Sequence, residues 1–162
     1  MLKQLVILIA AVVTAGTIAQ FALLDGLMGV IAPVFFETDT AYAPAYTDAN
    51  FRRISVGLSS MQVTELLGEP IIAALDYSTV AKSCGVVWLQ SGRVKNTSQS
   101  AGCPLANPSI GMSKTDLIGA RGPSAEERWI YATSPTDRSY RERIIVLVSG
   151  TVTERISRFY VD

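Results

Sequence analysis

The chain of 162 residues has no histidine. That removes the side chain whose ordinary pKa suits proton transfer near neutrality, and with it the commonest metal ligand. Charge is also sparse: 14 basic and 14 acidic side chains cancel to a formal net charge of zero. Such a surface has no basic excess to hold a phosphate backbone, so nucleic acid is not an expected partner. Cysteine is limited to Cys84 and Cys103. Two thiols without histidine are too few for a structural zinc site, and their spacing is not that of a Cys-x-x-Cys redox pair. The serines have only Lys82, Lys95 and Lys114 as possible bases beyond the N-terminal region, with no motif joining them. No catalytic residue, metal or cofactor is expected, and the chain reads as a non-enzyme.

From Leu5 to Leu24 the sequence is free of charge, about the length that crosses a hydrocarbon core of roughly 30 Å. This predicts a transmembrane helix. Lys3 before it and Asp25, Glu37 and Asp39 after it place the N-terminus in the cytoplasm and the remainder in the periplasm, as a single-pass protein of a bacterial inner membrane. The competing reading is a cleaved signal peptide, processed after Thr17-Ile18-Ala19. Apolar sequence continues through Phe36, so residues 1–36 are assigned to a span plus an interfacial segment, with the bilayer contacted through 5–36. Asp25 has two readings: an intramembrane charge paired with a partner, or a residue at the outer headgroup boundary. Gly26 and Gly29 allow close helix approach, and Phe35 and Phe36 supply aromatic bulk. These residues are candidate partner contacts. Residues 37–50, small and polar, read as a linker.

Behind this head a helix-boundary pattern occurs twice. Gly57-Leu58-Ser59 leads to Gly68-Glu69-Pro70, and Gly111-Met112-Ser113 leads to Gly122-Pro123. Each serine can cap the first helical turn, with Gln62 or Asp116 three residues on as the reciprocal partner. The glycines and prolines stop the helices. Between the stops, Val63, Leu66 and Leu67 form an apolar stripe suited to lying on a sheet. Gly85–Gln90 and Arg93–Lys95 read as a first hairpin, and Arg128–Ala132, Arg141–Val148 and Val152–Tyr160 as three further strands. A shorter unit at 51–106 and a second unit at 107–162 follow, an internal duplication of class α+β. One domain with a long insertion is the alternative.

The run Ile54 to Pro70, with Gly57, Ser59, Gly68 and Pro70 in place, resembles the signature of the SmpA/OmlA (BamE-like) domain family. The later run from Gly111 and Ser113 through Trp129-Ile130-Tyr131 to Ser149-Gly150 follows the same order of helix, aromatic strand and hairpin. As a tandem it is also similar to the β-lactamase inhibitory protein fold. The resemblance implies a helix-plus-antiparallel-sheet module that binds other proteins. No cysteine precedes Cys84, so an N-terminal lipid has no acceptor.

Cys84 and Cys103, placed outside the cytoplasm, are expected to form a disulfide, stabilising by roughly 3 kcal/mol in the chain-entropy view. Trp129 and Tyr131 point to one side of a strand, either to cover the helix that begins at Ser113 or to meet a partner. The functional expectation is an accessory or scaffold subunit that binds and stabilises an integral membrane protein complex. An envelope or outer-membrane assembly factor, or an inhibitor-like binding module, is the alternative.

Overall fold

Ser59 and Ser113 open their helices as their spacing predicts, and the rest of the architecture follows from where those helix starts are held. The computed structural model describes residues 2–36, 38–77, 84–99, 108–121, 124, 126–136 and 138–161. In chain order the elements are α1 (Leu2–Phe35), β1 (Ala41–Tyr42), α2 (Asp48–Arg53), α3 (Ser60–Leu67), β2 (Ile72–Asp76), β3 (Gly85–Gln90) and β4 (Arg93–Gln99). They continue with α4 (Lys114–Arg121), β5 (Glu126–Thr133), β6 (Tyr140–Val148) and β7 (Thr151–Tyr160).

All seven strands belong to one sheet in the order β4-β3-β2-β5-β6-β7, with β1 added against β5. Every pairing between these strands is antiparallel. This corrects the expected architecture of a transmembrane helix followed by a separate helix-plus-sheet module. The dominant feature is a single seven-stranded antiparallel sheet carrying short helices. Among the described residues no helix is long and apolar enough to cross a membrane. The predicted span is therefore withdrawn, together with the inner-membrane placement and orientation drawn from it. A physical reason is visible at the end of the apolar run. Gly26 breaks the helical dihedrals of α1 (φ 67°, ψ −165°), and Asp25 and Ala32 are buried in a folded protein rather than left at a headgroup boundary.

Two strands are missed in the sequence: β1, within the segment read as a linker, and β2. Ile72 to Asp76 follows Pro70 directly, and its alanines lack the β-branched signal of the other strands. β2 joins the halves, since it pairs with both β3 and β5. The offset that relates Gly57 to Gly111 and Ser59 to Ser113 also carries Ala74 onto Arg128. These two residues stand directly opposite each other in the β2–β5 pair. An approximate two-fold axis thus passes through that pair, relating α3-β2-β3-β4 to α4-β5-β6-β7.

The halves are interlocked. Ser59, at the head of α3, bridges to Thr151 at the start of β7, whereas Ser113, at the head of α4, bridges to Arg93 at the start of β4. Gly57 N–H donates to Val152 O (2.9 Å) and Val152 N–H to Leu58 O (2.8 Å). The counterparts are Gly111 N–H to Val94 O (2.8 Å) and Val94 N–H to Met112 O (2.8 Å). Each half therefore lays its helix-leading segment on the edge strand of the other. Open strand edges invite unwanted pairing, and this motif covers part of both edges in addition to capping a helix.

One face of the sheet is covered. Val63 and Leu67 of α3 and Leu117 of α4 share a single buried cluster with Ala73, Leu75, Val87, Leu89, Trp129, Tyr131, Ile145, Leu147 and Val152. The cap at Ser59 is a complete capping box with Gln62, and Ser113 accepts from Asp116 N–H at 3.2 Å. Gly68 closes α3 through its N–H to Thr64 O, 2.8 Å. Gly122 and Pro123 lie outside the described residues. The segment read as a linker rests on this same face: Ala41 and Tyr42 pair with Thr133 and Ala132, and Phe51 of α2 is fully buried.

Because the core is shared, the halves are expected to unfold together. Leu67→Ala should cost about 2–5 kcal/mol. Urea unfolding followed by tryptophan fluorescence and by far-ultraviolet circular dichroism should remain one coincident transition. Two separated transitions would show that each half is stable by itself.

Candidate functional site

Among the described residues, the most deeply buried charged side chain lies where α1 meets the sheet. Arg143 of β6 is fully buried. Its guanidinium grips Asp25 with two bonds, Nη1 to Oδ1 at 2.5 Å and Nη2 to Oδ2 at 3.1 Å. Its Nε donates to the Tyr46 hydroxyl at 2.9 Å and lies 3.5 Å from Asp48 Oδ1. Arg141 approaches the same Asp25 carboxylate at 3.6 Å and donates to Gly29 O at 3.3 Å. Two arginines and two aspartates balance within this cluster, so burial is compensated by pairing and hydrogen bonding. Burial by itself would lower the Arg143 pKa, but the Asp25 hydrogen bond and the surrounding acidic groups raise it above the ordinary arginine value.

Two glycines make the approach possible. Gly26 takes φ 67° and ψ −165°, a region open essentially to glycine alone. A Cβ placed on Gly29 would fall 2.0 Å from Asp25 Cβ. Of the residues singled out for close helix packing, Gly29 thus makes room for the carboxylate of its own helix, and Gly26 supplies the kink. Asp25 is neither at a headgroup boundary nor facing a foreign chain; it is the anchor that holds α1 to β6.

The aromatic neighbours extend this junction. Tyr42 and Tyr46 stack at 4.9 Å between ring centroids, and Tyr46 also packs on Phe51 and Tyr131. Tyr46 donates to Asp48 Oδ1 at 2.5 Å. Burial, then the hydrogen bond to Asp48, pushes the Tyr46 pKa far above its ordinary value near 10. Burial does the same to Tyr131, whose hydroxyl donates to Gly68 O at 3.0 Å.

Tyr131 and Trp129 are therefore interior residues, which corrects their candidacy as partner contacts. Trp129 is 5 % exposed and Tyr131 is fully buried. Trp129 Nε1 donates to Glu127 Oε2 at 2.7 Å. Lys114 bonds the same oxygen at 2.9 Å and lies 5.1 Å from the Trp129 ring centroid. Glu127 thus ties the first residue of α4 to the sheet. Above this knot a cleft of about 680 Å³ opens between the end of α3 and the start of α4, lined by Pro44, Glu69, Pro70, Gln90, Lys114 and Thr115 among others. Its one described cation, Lys114, is already committed to Glu127.

Phe35 and Phe36 are 74 % and 43 % exposed and Gly26 is exposed as well, so of the predicted contacts these three remain on the surface. Cys84 is buried and disulfide-bonded; Cys103 lies outside the described residues. Among the described residues no group of three or more His, Cys, Asp or Glu side chains is placed to hold a metal ion. Comparison with family models, with curated proteins and with solved structures finds no match for this chain.

The arginine cluster of the last hairpin suggests cross-strand pairing from sequence, whereas Arg143 pairs with Asp25 of α1. A lone acid beside Gly26 and Gly29 at the end of a charge-free run, together with an arginine surplus in β6 and β7, was the available signal. Replacing Asp25 with alanine leaves Arg143 buried without its main partner and should cost about 3–5 kcal/mol. Adding Arg143→Met should recover part of that loss in urea melts. An Asp25→Ala protein as stable as the wild type would contradict this account.

The tyrosines generate a second expectation. A hydroxyl whose folded pKa lies above its unfolded one contributes stability in full below the unfolded value and loses it as pH rises toward the folded value. Stability should thus hold up to about pH 10 and fall beyond it. Tyr46→Phe should reduce the alkaline sensitivity, measured as phenolate absorbance rising together with loss of circular dichroism.

Proposed function

We propose that this protein is a non-catalytic accessory or scaffold subunit that binds and stabilises a larger protein complex, with α1 as a principal contact. One observation carries the reading. α1 is tied to the sheet by Asp25, yet Val6, Ile9, Val12, Val13, Val34 and Phe35 along it are each more than half exposed. Apolar surface concentrated on one element marks an interaction site, whereas single exposed apolar residues do not. The shared core and interlocked halves supply a rigid body to which such a helix can be fixed.

The SmpA/OmlA resemblance belongs to the same proposal. What supports it is the twofold recurrence of a capped helix followed by three antiparallel strands.

Photo-crosslinking residues placed singly at Val12, Val34 and Phe35, with Met61 on α3 as the exposed control, test this reading. Crosslinks from the α1 positions to one defined set of protein chains, and none from Met61, are expected. Crosslinks to lipid alone, or equal capture from all four positions, would refute it.

A further inference from the structure

The outer strands of the sheet are β4 and β7. The helix-leading segments cover only the start of each, through Ser59 to Thr151 and Ser113 to Arg93. Among the described residues no strand pairs with β7 beyond Thr153 on the side away from β6. An open edge of that kind is a template for another strand. Its backbone groups follow from the register. Val152 turns its N–H and C=O outward, to Leu58 and Gly57. Val152 stands opposite Leu147 and Glu154 opposite Val146, so Thr153 is the extra residue of a bulge. Alternation then resumes with Arg155, Ser157 and Phe159 as the residues whose N–H and C=O point away from β6.

The side chains of this edge are their own complement. Glu154, Ile156 and Arg158 share the face opposite to that of Arg155, Ser157 and the buried Phe159. Glu154 and Arg158 are exposed, and Ile156 is half-exposed between them. Among the described residues Glu154 has no ion pair of its own; its charge acts on Arg128, which is bonded to Glu126 at 2.8 Å. Arg158 bonds Glu142 at 2.5 Å through Nε, and its side chain is 64 % exposed. That bond leaves the Nη groups for a second carboxylate. In an antiparallel self-pairing with Ile156 opposite its counterpart, Glu154 of each copy meets Arg158 of the other. The equivalent edge in the first half, β4, has Lys95 as its only charge beyond Val94 and offers no such match.

We propose that β7 is the docking edge for a second copy of this chain, the two strands pairing antiparallel about a two-fold axis at Ile156. Arg155 then exchanges backbone hydrogen bonds with Ser157 of the other copy on each side of the axis. The isoleucines meet as a non-hydrogen-bonded pair, and two Glu154–Arg158 pairs close the ends. Gly57 and Leu58, seated on Val152, confine the pairing to the stretch from Glu154 to Arg158. The contact is isologous and closes at two copies. It uses neither the exposed apolar residues of α1 nor the reading built on them.

Sedimentation of the full-length protein across a concentration series tests this. A monomer–dimer equilibrium that weakens as salt is raised is expected. Glu154→Arg sets arginine against Arg158 of the other copy and should weaken the dimer roughly tenfold or more; Arg158→Glu should do the same. Mixed, the two variants carry opposite charges at both positions and should form the dimer that neither forms alone. Arg158→Glu also gives up the Glu142 pair, so circular dichroism checks its fold, and Glu154→Arg decides the question by itself where that fold is lost. Ile156→Cys should crosslink two copies on mild oxidation, because Cα atoms of a non-hydrogen-bonded pair stand about 4.5 Å apart, within disulfide reach. Thr97→Cys, on β4, should not. A protein that stays monomeric to about millimolar concentration, a dimer indifferent to Glu154→Arg, folded variants that fail to pair when mixed, or crosslinking from Thr97→Cys in place of Ile156→Cys would overturn the proposal.

Discussion

The ion pair between Asp25 and Arg143 is the interaction on which the arrangement of this protein turns. A guanidinium with no solvent exposure is tolerated only where its charge is matched and its donors are used. Asp25, Asp48 and Tyr46 do this from three different segments. In consequence α1, the segment after β1 and the start of α2 are all positioned by one side chain of β6. A buried pair of this kind is weak as a net source of stability but strict about geometry, because each alternative placement of α1 leaves a charge buried alone.

The second constraint is the reciprocal hold of the two halves. Each Gly-x-Ser segment serves two purposes, capping its own helix and completing the edge of the opposite hairpin. A half removed from the other would lose the cover on its outer strand and expose one side of β2 or β5. The same antiparallel joining of β2 to β5 brings Ile72 of one half opposite Ile130 of the other.

Several elements were legible in the residues. Ser59 with Gln62 and Ser113 with Asp116 announced two helices whose start positions hold to within a residue. The β-branched run of β6 and the Ser149-Gly150 turn into β7 were equally plain. What escaped was low in signal or long in range. β2 is short and alanine-containing, and the later part of β4, Asn96 to Gln99, reads as a polar loop. Tyr42 and Tyr46 gave no sign of their stacking, since their partners Phe51 and Tyr131 come from α2 and β5. The apolar run of α1 was read by length and lack of charge alone, a measure that does not register Asp25 being claimed by an arginine far along the chain.

By itself, then, the sequence determined the local elements: two capped helices, the principal strands and their turns, and a composition poor in the groups that catalysis and nucleic-acid binding require. These are properties of near neighbours, set by caps, dihedral preferences and side-chain alternation. The tertiary structure decided which strand stands beside which, that the two units interlock within one sheet, that Trp129 and Tyr131 face inward, and that Asp25 is an internal anchor. Those outcomes depend on pairing between distant residues, and the free energy of a buried charge or a strand edge is set by what is brought against it, which local pattern does not encode.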